Sequence, residues 1–564
     1  MSARGLNLLV FREGRRCVAG AKFKAGLLRA MESLTPNPSS DDVLGALLRA
    51  GELECGIADA DQARSAEIEK LADALADMLL SGRPSPEFST IKDSVSRAPV
   101  PERLELSRPE GFAYYALHPI AYAGVLDRLP GMPEDLVVIG IRSIGTTLSA
   151  MTAAAARLRG AKVQRMTVRP AGHPYDRETR FRAEQMPALN DALARGAAFL
   201  VVDEGPGLSG SSFLSVAEAL ERAGAAREKI TLICGHQPNP ATLCSNNAAQ
   251  RWQRFHSVSV GQEPQRPAEA GTFVGGGEWR KVLLKSSSDW PESWSSMERL
   301  KYLSSSEPRR LLKFAGLGHY GTPIMEREQV VAEAGFGPAL RQESHGFVSY
   351  PWLDGRPVWA RELSSQMLVR LAEYCAFRAR AFPASEADKT ALQQMAEHNL
   401  EQMGSSFPVS LKLERPVIAD GRMQPHEWIR TATGEMFKTD SGSHGDDHFF
   451  PGPTDIAWDL AGAIVEWRMA PLQAIEFMER YRRASGDDAR GRIEDFVRSY
   501  AAFRWAYCKM AGNAMAGTPE QARLGAAGQN YAAMLRSCAH LLDSEFPLAR
   551  QVSQTDPLRR DQLN

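Results

Sequence analysis

From Ala25 to about Arg83, apolar residues recur at helical spacing in AGLLRAMESL, DDVLGALLRAGEL and AEIEKLADALADMLL, which predicts a helical N-terminal segment. A Pro/Ser/Arg-rich stretch from Gly82 to Glu110 breaks that period and reads as a linker or surface loop. The pattern then changes to short, continuous apolar runs: LVVIGI (136–141), KVQRMTV (162–168), AAFLVVD (197–203) and ITLICG (230–235). Ala-rich helical windows at 146–159 and 212–223 separate them. Strands without polar alternation are buried on both faces, so these runs predict a parallel sheet covered by helices. Between Gln237 and Ser306 the chain is rich in Ser, Pro, Gly, Asn and Trp and loses periodicity, placing a domain boundary near 265. Residues 309–360 read as strands around one helix, and 362–404 and 456–545 as long amphipathic helices. The expected order is a helical segment (1–95), a parallel-sheet α/β domain (96–265), a small α+β lobe with its linker (266–360), a helical lobe (361–548) and a tail (549–564).

Composition narrows the choice of partner. With 564 residues the chain exceeds what one hydrophobic core serves. Lys and Arg total 67 against 68 Asp and Glu, so no overall field recruits nucleic acid or an anionic membrane. Small-molecule substrates are the expected partners, and any anion site must be local. The seven cysteines show no CxxC pair or metal-ligand spacing, which favours a reducing compartment without structural zinc. The opening apolar run is too short for a signal peptide and no window spans a bilayer, so a cytoplasmic location is expected.

The first candidate chemistry lies in FLVVDEGPGLSGSSF, where a buried strand runs into two acids, a Gly/Ser turn and a helix start. Amide groups of a glycine-rich turn and a helix N-terminus converge on phosphate, and serine hydroxyls add donors. Ser209, Gly210, Ser211 and Ser212 would hold the phosphate, while Asp203 and Glu204 hold sugar hydroxyls directly or through Mg²⁺. The run resembles the phosphoribosyl pyrophosphate motif of type I phosphoribosyltransferases, with five residues rather than four between the acids and Gly210. The resemblance implies a pyrophosphate loop at Arg142, Ser143, Gly145 and Thr146, and a mobile catalytic loop at 169–182 carrying Arg177. Phosphoribosyl pyrophosphate would be a co-substrate.

The second lies in RRLLKFAGLGHYGTPIMEREQVVAEAGFGPAL and the following GFVSYPWLDGRPV. These resemble the small lobe of aminoglycoside-phosphotransferase-like kinases. The resemblance implies that Lys313 contacts ATP phosphates, steadied by Glu328 or Glu326. Three acids then follow at intervals of about twenty residues: Asp420, Asp440 and Asp459. By the same resemblance Asp420 would be the catalytic acid, Asp440 an Mg²⁺ ligand and Asp459 structural. Pro425 stands where the family has a metal-binding Asn, leaving His426 as the nearest ligand. HGDDH (444–448) imitates the family's catalytic signature but lies too close to Asp455 to serve as one. His444, Asp446, Asp447 and His448 are then either a solvated polar loop or a separate metal cluster.

Together these resemblances imply a bifunctional transferase, coupling phosphoribosyl transfer to ATP-dependent phosphorylation of a small molecule. The alternative is a regulatory protein that senses these ligands through an inactive kinase-like domain.

Overall fold

The computed structural model describes residues 9–12, 14–34, 38–60, 66–261, 264–385 and 387–545, giving backbone only for Asp446 and 537–545. The expected tail at 549–564 lies outside the described residues. Strand β1 (Arg15–Ala19) pairs antiparallel with β2 (Arg103–Ser107), closing the N-terminal helices Gly20–Glu32, Ser40–Ala60 and Ala66–Ser81 into a loop of chain. The stretch expected as a linker thus carries β2 and a helix, Phe88–Arg97. Only Leu104 and Leu106 of β2 face inward, too few apolar positions to stand out in the sequence.

The first half is built on β3 (Asp135–Ile141), β4 (Lys162–Val168), a small hairpin of β5 (Ala171–His173) and β6 (Asp176–Glu178), then β7 (Ala198–Val202), β8 (Ile230–Cys234) and β9 (His256–Ser259). The main sheet has the order β4-β3-β7-β8-β9, parallel throughout. Side chains alternate across it. Val137, Ile139 and Val201 meet Leu189, Phe213 and Leu214 of one helical layer. Leu136, Val138 and Val202 meet Leu148 and Met151 of the helix Ile144–Leu158, and beyond it the N-terminal helices. A Cβ at Gly51 would lie 2.0 Å from Thr147 Oγ1, so glycine is what lets the helix Ser40–Ala60 approach this closely. Buried Arg165 fastens the layer, donating to Glu54 at 2.8 and 3.0 Å and to Asp73 at 2.7 Å. The chain steps from β3 to β4 on one side, then crosses back from β4 to β7 on the other side of β3. Ligands of such sheets bind at that switch point, beyond the strand C-termini.

The second half begins with β10 (Ala270–Phe273), β11 (Lys301–Ser304), β12 (Arg310–Phe314), β13 (Arg341–Gln342) and β14 (Phe347–Pro351), which form an antiparallel sheet of order β10-β11-β12-β14-β13. The helix Thr322–Glu333 packs Ile324 on Ala315, Val348 and Tyr350 of one sheet face. The other face sends Tyr302, Leu312, Phe314 and Phe347 into the core of the first half. Beyond β15 (Gly355–Pro357) a helical block packs around Trp428, Trp458 and Trp467. It carries two small ladders: β16 (Pro416–Ile418) with β19 (Pro453–Asp455), and β17 (Trp428–Thr431) with β18 (Met436–Lys438).

The halves interlock through polar contacts as well. Tyr320 donates to Glu52 at 3.1 Å, the Leu317 amide to the Phe112 carbonyl at 3.0 Å, and Arg299 to the Ala113 carbonyl at 2.8 Å. No helix among the described residues is long and apolar enough to cross a membrane.

Candidate functional site

At the switch point, the loop after β3 and the acids after β7 come together. A Cβ on Gly145 would lie 2.6 Å from the Val202 carbonyl and 3.4 Å from Asp203 Oδ1, so only glycine permits the loop this close to the acids. Glu204 Oε2 accepts the Gly111 amide at 3.3 Å, and Tyr122 donates to the Asp203 carbonyl at 2.8 Å. Burial raises both carboxyls, Asp203 to about 8 and Glu204 to about 7, with Glu110 adding to the rise at Glu204. Such acids are poorly compensated by the protein alone, and a cation would stabilise their ionised forms.

Other residues expected at this site are placed differently. Arg142 is buried and ion-paired to Asp59 of the helix Ser40–Ala60 at 3.0 Å, so it anchors the loop instead of presenting a guanidinium to pyrophosphate. Thr146 is fully buried, and Ser143 is the partly exposed member of that loop. Ser209 and Ser211 both donate to the Pro174 carbonyl, at 2.9 and 2.7 Å, pinning the β5–β6 hairpin to the Gly/Ser turn. Gly210 takes a left-handed φ of +71°, and Ser212 is half-buried on the first turn of the following helix. The 169–182 segment is thus a docked hairpin in which Arg177 donates to the Pro170 carbonyl at 3.3 Å. A phosphate taking the serine hydroxyls would release the hairpin.

The raised carboxyls set a pH dependence. Above its unfolded value near 3.8, the unfolded Asp203 ionises before the folded one, so folded stability falls as pH climbs towards 8. Asp203→Asn removes that loss. The variant is expected to melt higher than wild type at pH 8.5 and alike at pH 4, as read by differential scanning calorimetry. Equal melting at both pH values would show that Asp203 ionises freely.

In the second half, a cavity of about 210 Å³ lies between the antiparallel sheet and the helical block, with Lys301, Lys313, Glu328, Arg422, Asp440 and Asp447 among its walls. Lys301 and Lys313 are register partners on β11 and β12. Like charges directly opposite repel, and here one carboxylate reconciles them. Asp440 meets Lys301 at 2.8 Å and also pairs with Lys313. Lys313 further contacts Glu328 at 3.3 Å and Ser443 at 3.1 Å. Burial would raise Asp440, yet the two ammonium groups hold it well below the carboxylate range. It follows β18 with a left-handed φ of +57°, a conformation aspartate tolerates better than most residues. Lys301 escaped the sequence reading because its strand, KYLS, carries no motif.

Asp420 does not reach this cavity. It is fully buried, accepting from Tyr374 at 2.5 Å and pairing with Lys438 at 3.3 Å. Burial alone would raise it, but Lys438, His444 and Arg378 hold it strongly ionised. Its carboxylate, expected beside an acceptor hydroxyl, is taken up by these internal partners. Asp459 explains the register of the loop: its carboxylate accepts the amides of Asp420 at 2.8 Å and Gly421 at 3.0 Å. The next residue, Arg422, enters the cavity wall. Burial raises Asp459 to about 6, against the pull of Arg378.

Of the two expected glutamates, Glu328 is the one in contact with Lys313. His426 lines the cavity, stacks on Trp279 at 5.7 Å and is pushed by burial to about 3, leaving a neutral imidazole able to ligate. Asp447 and His448 are buried, not solvated, and line the same cavity as His444. The side chain of Asp446 lies outside the described residues. Asp420, Glu427 and His444 have donor atoms within 4.8 Å of one another. Lys438 already neutralises two of them, lying 3.3 Å from Asp420 and 2.8 Å from Glu427, so an ammonium does the work a cation would.

The sites are physically joined. Gly111 meets Glu204, while Tyr114, three residues on, lines the second cavity, and Tyr115 meets His448 Nε2 at 3.1 Å.

No family model and no curated protein matches the sequence. Among solved structures, the chain is similar to a choline/ethanolamine kinase family protein from Mesorhizobium loti, at 13% identity over 44% of this chain and 86% of that one, with a TM-score of 0.30. It is also similar to choline kinase LicA from Streptococcus pneumoniae (11% identity, 41% and 89% covered, TM-score 0.28). A third is macrolide 2'-phosphotransferase from Brachybacterium faecium (14% identity, 44% and 95% covered, TM-score 0.28).

Proposed function

We propose that the second half binds Mg²⁺–ATP and transfers its terminal phosphoryl group to a small molecule, and that the first half holds a phosphoribosyl compound at the switch point. The observation that carries the reading is the clamp of Lys301 and Lys313 on Asp440, with Glu328 steadying Lys313, in the wall of a cavity. The donor set suits the ligand by charge exchange: phosphates take the two ammonium groups, and Asp440 with neutral His426 is left to hold Mg²⁺. The ion would neutralise the β- and γ-phosphate oxygens.

Lys313 and Lys301 orient the phosphates, and Glu328 keeps Lys313 extended into the cavity. With Asp420 sealed away, the carboxylate placed to accept an acceptor's proton is Asp447, which burial raises into a more basic range and whose Oδ1 is fixed by the Phe449 amide at 2.8 Å. In the first half, Asp203 and Glu204 would take the sugar hydroxyls, and the Gly/Ser turn the 5-phosphate.

A second reading, nucleotide binding without transfer, is favoured by Arg422, since a guanidinium at the loop position facing the cavity takes up no proton. The test is ³¹P NMR of ATP and Mg²⁺ with a panel of ribose phosphates, nucleosides and amino alcohols. A new phosphoester signal that wild type forms and Asp447→Asn does not would support transfer. Binding of ATP with no acceptor consumed would establish the second reading.

A further inference from the structure

We propose that Arg422 is an anion-recognition residue of the second cavity, built to hold a phosphoryl or carboxylate group. The inference rests on the nucleotide reading for its setting and on Arg422's surroundings for its substance. Every other lysine and arginine in the cavity wall is engaged. Lys301 and Lys313 pair with Asp440, Lys438 with Glu427, Arg280 with Glu520, and Arg504 with Glu292 and Glu466. Arg299 donates to the carbonyls of Ala113 and Ala315.

Arg422 differs. Its guanidinium lies over the rings of Phe449 at 5.5 Å and Tyr507 at 5.1 Å, and among the described residues its side chain has no ion pair or hydrogen bond. Aromatic faces steady a cation without using its N–H groups, so a planar fork of five donors is left to the cavity. Such a fork matches two oxygens of one phosphate or carboxylate. Asp447 feels its charge but does not pair with it. The Asp459 carboxylate, by fixing the two preceding amides, sets the position from which Arg422 projects.

The anion has two possible sources: the terminal phosphate of the nucleotide, or an anionic group on the second substrate. Calorimetric titrations of wild type, Arg422→Met and Arg422→Lys with ADP, ATP and inorganic phosphate, all with Mg²⁺, distinguish them. Methionine keeps the packing of the stem on Phe449 and Tyr507, and an unchanged melting temperature verifies that. Removing the charge-assisted hydrogen bonds of the guanidinium is expected to weaken anion binding about ten- to a hundred-fold, with lysine in between. Loss of the ATP-over-ADP preference assigns Arg422 to the terminal phosphate. Weakened binding of inorganic phosphate to the ADP-saturated protein assigns it to the second substrate. If both measurements match wild type, the proposal is overturned. Should wild type bind no ADP, the nucleotide reading fails separately, and phosphate titrated alone decides Arg422 by the same comparison of variants.

Discussion

Asp440→Asn is expected to abolish the Mg²⁺ dependence of ATP binding and to leave metal-free ATP binding intact or tighter. The carboxylate is the shared counter-ion of Lys301 and Lys313, which face each other across adjacent strands. Without its charge the metal loses a ligand, but the two ammonium groups are freed for phosphate. The unliganded variant should also be destabilised, because removing one partner of a buried pair costs about 3–5 kcal/mol. Thermal-shift measurements with ATP, with and without EDTA, read both effects. A variant that still gains stability from Mg²⁺ in the presence of ATP would remove Asp440 from the metal site.

Asp459→Ala should act on the loop beneath the cavity. It deprives the buried amides of Asp420 and Gly421 of their acceptor, and at about 1–3 kcal/mol for each unsatisfied group the destabilisation is about 2–6 kcal/mol. Arg378 gives up a neighbour at 3.5 Å but keeps Asp420 and Tyr374. The urea midpoint should fall steeply, and ATP binding should fall with it as Arg422 and His426 lose their placement. Unchanged stability would show that the loop holds its register without this carboxylate.

What could be seen in the sequence follows from locality. The strands β3, β4, β7 and β8 are continuous apolar runs and stand out as such, whereas β9, HSVS, has one buried residue, Val258, and vanishes into the polar stretch after Gln237. Pairing of Lys313 with an acid on the next helix is a local pattern, and the structure brings Lys313, Glu328 and Asp440 together. The fate of Asp420 is not local. Its partners Tyr374, Lys438 and His444 come from a helix, a strand end and a turn far apart in the chain. Spacing between acids alone does not distinguish a buried ion pair from a catalytic one. The signal that was present, Pro425 in place of a metal-binding Asn, marked the loop as altered without saying that Arg422 would face the cavity. In the first half the β3 loop lies beside the acids after β7, but the docking of Arg142 on Asp59 depends on the N-terminal helices, which no motif connects to that site.

Whether the cavity between the second sheet and the helical block receives a nucleotide's phosphates at the Lys301–Lys313 pair is measured directly by a crystal structure of the protein soaked with ADP and Mg²⁺. The expected result is the β-phosphate within hydrogen-bonding distance of Lys313 and a metal ion on Asp440, with the Lys313–Asp440 pair opened. Nucleotide density absent from this cavity, or found only beside Asp203 and Glu204, would contradict it.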